Sequence, residues 1–101
     1  MSKYYRYYKI ARYLKANYPF DFPVVVRRIK MPENYCGECD FESGQYFISI
    51  NKKLSVDAAI ETLLHEMAHA KSWGKDNEDH GINWGKEYSK IYRVYEKKFL
   101  T

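Results

Sequence analysis

SVDAAIETLLHEMAHAK, residues 55–71, carries two superimposed signals from which the rest of the chain can be read. Ala59, Ile60, Leu63, Leu64 and Met67 recur at three- and four-residue intervals and draw one apolar helical stripe. Ser55 is placed to cap this helix, and Asp57 in the first turn suits the positive end of its dipole. Polar residues and Gly74 close it near 71–74. The second signal is His65-Glu66-Met67-Ala68-His69, an HExxH motif. Its spacing sets the two imidazoles one turn apart, about 40° around the helix from each other and nearly opposite Ile60, Leu63 and Met67. One face of the helix packs, and the other offers two nitrogens that can share a zinc ion.

A catalytic zinc takes three protein ligands and leaves a fourth position open. His80 is the one histidine remaining, and a chain reversal between Gly74 and Asp79 would return it to the metal. Glu87, eighteen residues past His69, is the alternative third ligand, placed two turns inside the following helix. Glu66, beside the first ligand, has the position of a general base toward a metal-activated water. A carboxylate of the 76–79 run, Asp79 above all, is expected to accept a ring N–H from a ligand histidine and fix its tautomer. Tyr88 is one of several tyrosines that could stabilise an oxyanion. The competing account of the motif is a helix with surface histidines or an inactive metal site.

Outward from this helix the pattern changes period. Residues 1–16 repeat Tyr4, Tyr7, Tyr8, Ala11 and Leu14 at helical spacing, and Pro19 should end that helix. Val24, Val25, Val26 and Ile29 make residues 22–30 a strand, and a shorter one is expected over 35–41. Glu42-Ser43-Gly44-Gln45 has hairpin chemistry, and Tyr46, Ile48 and Ile50 then alternate with Phe47, Ser49 and Asn51. The last two strands are therefore expected to pair antiparallel. A final helix is predicted over 81–99, capped by Asp79, with Trp84, Tyr88, Ile91, Tyr92, Tyr95 and Phe99 as its stripe. The order helix, three strands, helix, helix is an α+β arrangement in one domain spanning 1–101.

Composition narrows the function. Of 101 residues, 46% are apolar, 18% aromatic and 30% charged, which is a folding composition. The formal charge of +4 is uneven: residues 1–30 hold eight basic side chains against Asp21 alone, while 31–101 hold nine against twelve acidic ones. Polyanion contact is thus expected of the amino-terminal third, residues 1–18 forming a basic, tyrosine-rich helix. In Lys3-Tyr4-Tyr5-Arg6-Tyr7-Tyr8-Lys9 rings alternate with cations, and Lys3, Arg6, Lys9 and Arg12 are the predicted DNA contacts. The rival account is a packing helix with a wet basic face. With no long apolar run and no signal-peptide pattern, neither a membrane partner nor export is expected, and the cytoplasm is the expected compartment. Cys36 and Cys39 read as small strand residues, with a redox pair or an intermolecular zinc site as alternatives.

From Tyr35 onward the chain resembles the SprT-like zinc metallopeptidases, the group that includes the Spartan DNA–protein crosslink proteases. The matching stretches are Cys36-Gly37-Glu38-Cys39-Asp40-Phe41, Phe47-Ile48-Ser49-Ile50, Glu61-Thr62-Leu63-Leu64-His65-Glu66-Met67-Ala68-His69-Ala70 and His80-Gly81-Ile82-Asn83-Trp84. The resemblance covers roughly residues 22–99. It implies a minimal zincin-like fold, in which a small three-stranded sheet packs on the HExxH helix between an N-terminal and a C-terminal helix. It also implies Zn2+ held by His65, His69 and His80, the last from a histidine–glycine pair followed by an aromatic three residues on. The implied activity is hydrolysis of proteins bound to or crosslinked with DNA. Relatives commonly carry a zinc ribbon, for which no cysteines follow Cys39, so a minimal form is expected, of a size that suits a phage or mobile-element protein. The alternative function is a nucleic-acid-associated module whose zinc site is structural or inactive.

Overall fold

A computed structural model describes residues 4–100, so Lys3 lies outside the described residues. Helix α1 (Tyr5–Asn17) leads to strand β1 (Val24–Ile29). Strands β2 (Gly37–Glu42) and β3 (Gln45–Asn51) follow, then helices α2 (Val56–Lys71) and α3 (Ile82–Tyr95) and a π-helical turn (Glu96–Leu100). The fold is α+β, a small mixed sheet packed on the helix that bears the HExxH motif, with α1 and α3 beside it. No described helix is long and apolar enough to cross a membrane.

The sheet order is β1-β3-β2, which leaves β2 at an edge. β2 and β3 pair antiparallel from Gly37↔Ile50 to Glu42↔Gln45, as the hairpin signal predicts. Ser43 and Gly44 both take positive φ, 51° and 77°, which matches the hairpin twist. β1 runs parallel to β3, Val24↔Tyr46 to Ile29↔Asn51, a pairing that no local pattern announces. It makes β3 the central strand. Tyr46, Ile48 and Ile50 enter the core, whereas Ser49 is buried on the other face. There Arg27 Nε donates to Ser49 Oγ at 3.0 Å, its guanidinium 5.6 Å from the Phe47 ring centroid.

The core takes Ala59, Ile60, Leu63, Leu64 and Met67 from α2 and Ile91 and Tyr95 from α3. Each large aliphatic among them contributes about 1.5–3 kcal/mol of transfer free energy. Ser55 caps α2 as expected, its side chain accepting from Ala58 N at 3.2 Å. On α1 the buried set is Tyr7, Ile10, Ala11 and Leu14, so Ile10 takes the place predicted for Tyr8. Tyr8 is 45% exposed, and its hydroxyl accepts from Arg28 Nη1 at 3.0 Å. α1 ends at Tyr18, whose extended backbone still donates to Leu14 O, just before Pro19.

The start of α3 corrects the sequence expectation. Its N-cap is Gly81, which has no side chain to cap with, and Asp79 does not cap the helix. Asp76 does so from five residues upstream of that glycine. Its carboxylate accepts from Asn83 N at 3.0 Å, Trp84 N at 2.9 Å and Asn83 Nδ2 at 2.9 Å. A Cβ at Gly81 would lie 2.6–2.8 Å from the Asp76 side chain, so glycine permits the approach. The loop between α2 and α3 is thereby tied down at its far end.

Candidate active site

His65 and His69 stand one turn apart on the face of α2 turned from the core, with ring centroids 4.9 Å apart. Both are half-buried. His80 comes to them from the loop before α3, its ring centroid 4.8 Å from each. Its backbone is left-handed, φ 56°, a conformation uncommon for non-glycine residues but less so for histidine. This turn, followed at once by the Gly81–Asp76 closure, sends the His80 side chain back over α2. One ligand nitrogen from each of the three rings lies within 4.8 Å of the others, and His80 Nε2 is 3.0 Å from His65 Nε2.

Trp84 forms the floor. Its indole lies 4.6 Å from His80, 5.0 Å from His65 and 5.6 Å from His69 between ring centroids, and its N–H donates to the His65 carbonyl at 3.2 Å. Tyr88 continues the wall, 5.1 Å from Trp84. Burial, then the Glu61 carboxylate beside it, pushes its phenol up. Burial pushes His65 and His69 down, and the positive charge of neighbouring imidazoles adds to this, while Asp79 opposes it in both. Neutral imidazole, the form that binds a metal, is therefore favoured.

Glu66 is 7% exposed although it is a carboxylic acid, with Oε2 4.0 Å from His65 Nε2. Burial and, after it, the carboxylates of Asp79, Glu38 and Asp40 push its pKa up to about 7. A carboxyl held near neutrality beside a nitrogen cluster is suited to taking and giving a proton at physiological pH. Asp79 stands 3.8 Å from His69 Nε2 and 3.7 Å from His80 Nδ1. These separations exceed hydrogen-bond length, so Asp79 acts on the rings through charge and not as the expected N–H acceptor.

A cleft runs along one side of His65 and Glu66, bounded by Cys36 and Gly37, by Glu61 and Thr62 of α2, and by Tyr88. A Cβ at Gly37 would come within 2.7 Å of Ser49 O and Thr62 Cγ2, so glycine lets β2 pass this close to α2. Cys36 is exposed and Cys39 partly buried, both as free thiols. Burial, with Glu66 and Asp40 adding to it, pushes Cys39 up to about 12.

Glu87, the alternative third ligand, is engaged elsewhere: its carboxylate accepts from Tyr18 OH at 2.5 Å and lies 3.7 Å from Lys90 Nζ. The structure thus brings His65, His69 and His80 together and leaves Glu87 out. Asp76 and the flooring role of Trp84 escape sequence reasoning. An acidic side chain near a glycine is a cap signal, but three acidic residues precede Gly81 and no spacing rule selects the first.

An HExxH helix with a third histidine over it is the zincin-like arrangement of a hydrolase. No curated protein matches the chain. The model of the SprT-like family matches residues 9–99, nearly the whole sequence. The chain belongs to the SprT-like family.

Proposed function

We propose that the protein is a zinc-dependent endopeptidase in which His65, His69 and His80 hold the metal and Glu66 is the general base. The donor set fits the ion. Three imidazole nitrogens on one tetrahedral zinc stand roughly 3.3 Å apart. Here His80 Nε2 and His65 Nε2 are 3.0 Å apart and all three lie within 4.8 Å. When bound, zinc supplies Lewis-acid polarisation of a carbonyl and a lowered pKa for water.

The remaining work falls to the chain's own groups. A peptide laid along the open edge of β2 gains main-chain hydrogen bonds there and passes the cleft that holds His65 and Glu66. Glu66 takes the proton of the attacking water at its carboxylate and delivers it to the departing amine nitrogen. Its burial keeps that proton from exchanging freely with bulk solvent. Tyr88 lines the same cleft and would be the donor toward the developing oxyanion.

The observation that carries this reading is a buried glutamate beside three convergent imidazoles. A structural zinc site needs ligands only, and a buried carboxyl group that is not one of them adds nothing to it. The finer assignment is to protein substrates associated with DNA, in keeping with the family and with the exposed cations Lys9 and Arg12 on α1. Arg6 has partners within the fold, Asp57 Oδ1 at 2.9 Å and Tyr95 OH at 3.3 Å, and contributes less to such a contact.

Glu66→Gln tests the catalytic assignment. Zinc should remain at about one per chain while hydrolysis of an unstructured protein falls by about 10²–10⁴-fold. Equal turnover in the two proteins would remove Glu66 from the role of base. Adding single-stranded DNA to the wild-type assay tests the finer assignment, with faster cleavage of a DNA-bound substrate as the expected result.

A further inference from the structure

We propose that the cleft between α1 and β1 is a binding site for a phosphate ester. This cleft, of about 470 Å³, is lined by no carboxylate and by three cations that face it, Arg12 and Lys15 from α1 and Arg28 from β1, while Arg27 borders it with its guanidinium turned to Ser49 on the other face of the sheet. Neither Arg12 nor Lys15 forms an ion pair among the described residues. Converging positive charges without a counter-charge are held at the expense of mutual repulsion, which an anion relieves.

A second observation points to the same place. Among the described residues, two buried side-chain polar atoms lack a hydrogen-bond partner, Tyr7 OH and Arg28 Nε, and both residues line this cleft. Tyr7 is 1% exposed. The Arg28 guanidinium is fixed on its other sides: Nη1 donates to Tyr8 OH at 3.0 Å and Nη2 to Lys52 O at 3.1 Å, with the Tyr4 ring 3.6 Å away. Buried donors are almost always paired in folded proteins, and a hydroxyl and a guanidinium N–H left over together match the several acceptor oxygens of one phosphate.

The volume exceeds what a bare phosphate fills, and Ala11 and Val26 give the cleft an apolar side beside the Tyr7 and Tyr8 rings. An ester whose organic part rests on those surfaces fits better than the free ion. Phosphate of this kind comes either from a small molecule such as a mononucleotide or from the backbone of a nucleic-acid strand. The site is separate from the histidine cluster, and no residue lines both clefts.

The full chain is titrated with inorganic phosphate, thymidine monophosphate and a short oligothymidylate, with binding followed by calorimetry. Thymidine monophosphate should bind one per chain. Tyr7→Phe should weaken it roughly tenfold without lowering the melting temperature of the free protein, because the lost hydroxyl has no partner to abandon. Arg12→Gln should weaken it by a similar factor, and Lys9→Gln, which removes the same charge from a part of α1 outside the cleft, by much less. Displacement of the mononucleotide by the oligonucleotide assigns a strand backbone to the site, and failure to displace it assigns a small ester. The proposal is overturned if none of the three probes binds, if Tyr7→Phe binds as tightly as wild type, or if Lys9→Gln loses as much affinity as Arg12→Gln.

Discussion

Two clefts in this small fold carry opposite charge. Around the histidines the ionisable walls are acidic, with Glu61 and Glu66 on one side and Asp76, Glu78 and Asp79 on the other. Between α1 and β1 they are basic, with Arg12, Lys15 and Arg28. The net charge of +4 describes neither surface. The imbalance along the sequence, basic before residue 31 and acidic after it, survives folding because α1 and β1 line one cleft and α2 with its following loop lines the other. Acidic groups near Glu66 raise its pKa, while the basic cleft leaves two buried donors without partners. The physical feature the two share is a set of like charges gathered around one cleft.

If the two clefts are independent, each should be breakable without the other. His80→Ala is the most severe such break. It should lower zinc affinity by at least about a hundredfold, since even the loss of a group that only orients a ligand costs ten- to a hundredfold. Protease activity should vanish with the metal. Binding of thymidine monophosphate should stay at the wild-type value, and a parallel loss there would mean the variant disturbs the whole fold.

Gly81→Ala is a subtler break of the same region. The new Cβ would meet the Asp76 carboxylate at 2.6–2.8 Å, loosening the cap of α3 and shifting the turn that aims His80. Zinc affinity should fall roughly ten- to a hundredfold while circular dichroism stays close to wild type. Unaltered zinc binding would show that Asp76 and Gly81 hold α3 without positioning the histidine.

The charge contrast itself gives a smaller effect. With Glu38, Asp40 and Asp79 close enough to perturb Glu66, a peptide flanked by Lys and Arg should be cut with higher kcat/KM than the same peptide flanked by Asp and Glu. The ratio should be roughly tenfold at low ionic strength. It should shrink toward unity in about 0.5 M salt, where screening acts within a few ångströms. A ratio that ignores salt would trace the preference to shape and not to field.

Much of this was legible in the sequence, and what was not has a common cause. The stripe of α2 and the face of His65 and His69 follow from helical period alone. His80 could be proposed because three histidines and three ligand positions leave little choice. The hairpin around Ser43 and Gly44 is local turn chemistry. What escaped depends on contacts between segments far apart in the chain. Ile10 and Tyr8 lie on opposite edges of the stripe that Tyr7, Ala11 and Leu14 draw on α1, and only packing against α2 and α3 decides which edge is buried. The parallel pairing of β1 with β3 is written in neither strand. Asp76 caps α3 in place of Asp79 because the loop folds back over Gly81. Glu87 is claimed by Tyr18, sixty-nine residues earlier, a partner no motif reveals. The two unpaired donors at the α1–β1 cleft appear only when β1 is laid beside α1.

The central claim is a zinc ion held by His65, His69 and His80 with one position left for solvent. X-ray absorption at the zinc edge on the metal-loaded protein tests it directly. Three imidazole nitrogens at about 2.0–2.1 Å and a single oxygen from solvent are predicted. A sulfur neighbour at about 2.3 Å, which would bring Cys36 or Cys39 into the shell, would contradict it, as would a fourth protein nitrogen or oxygen closing the site.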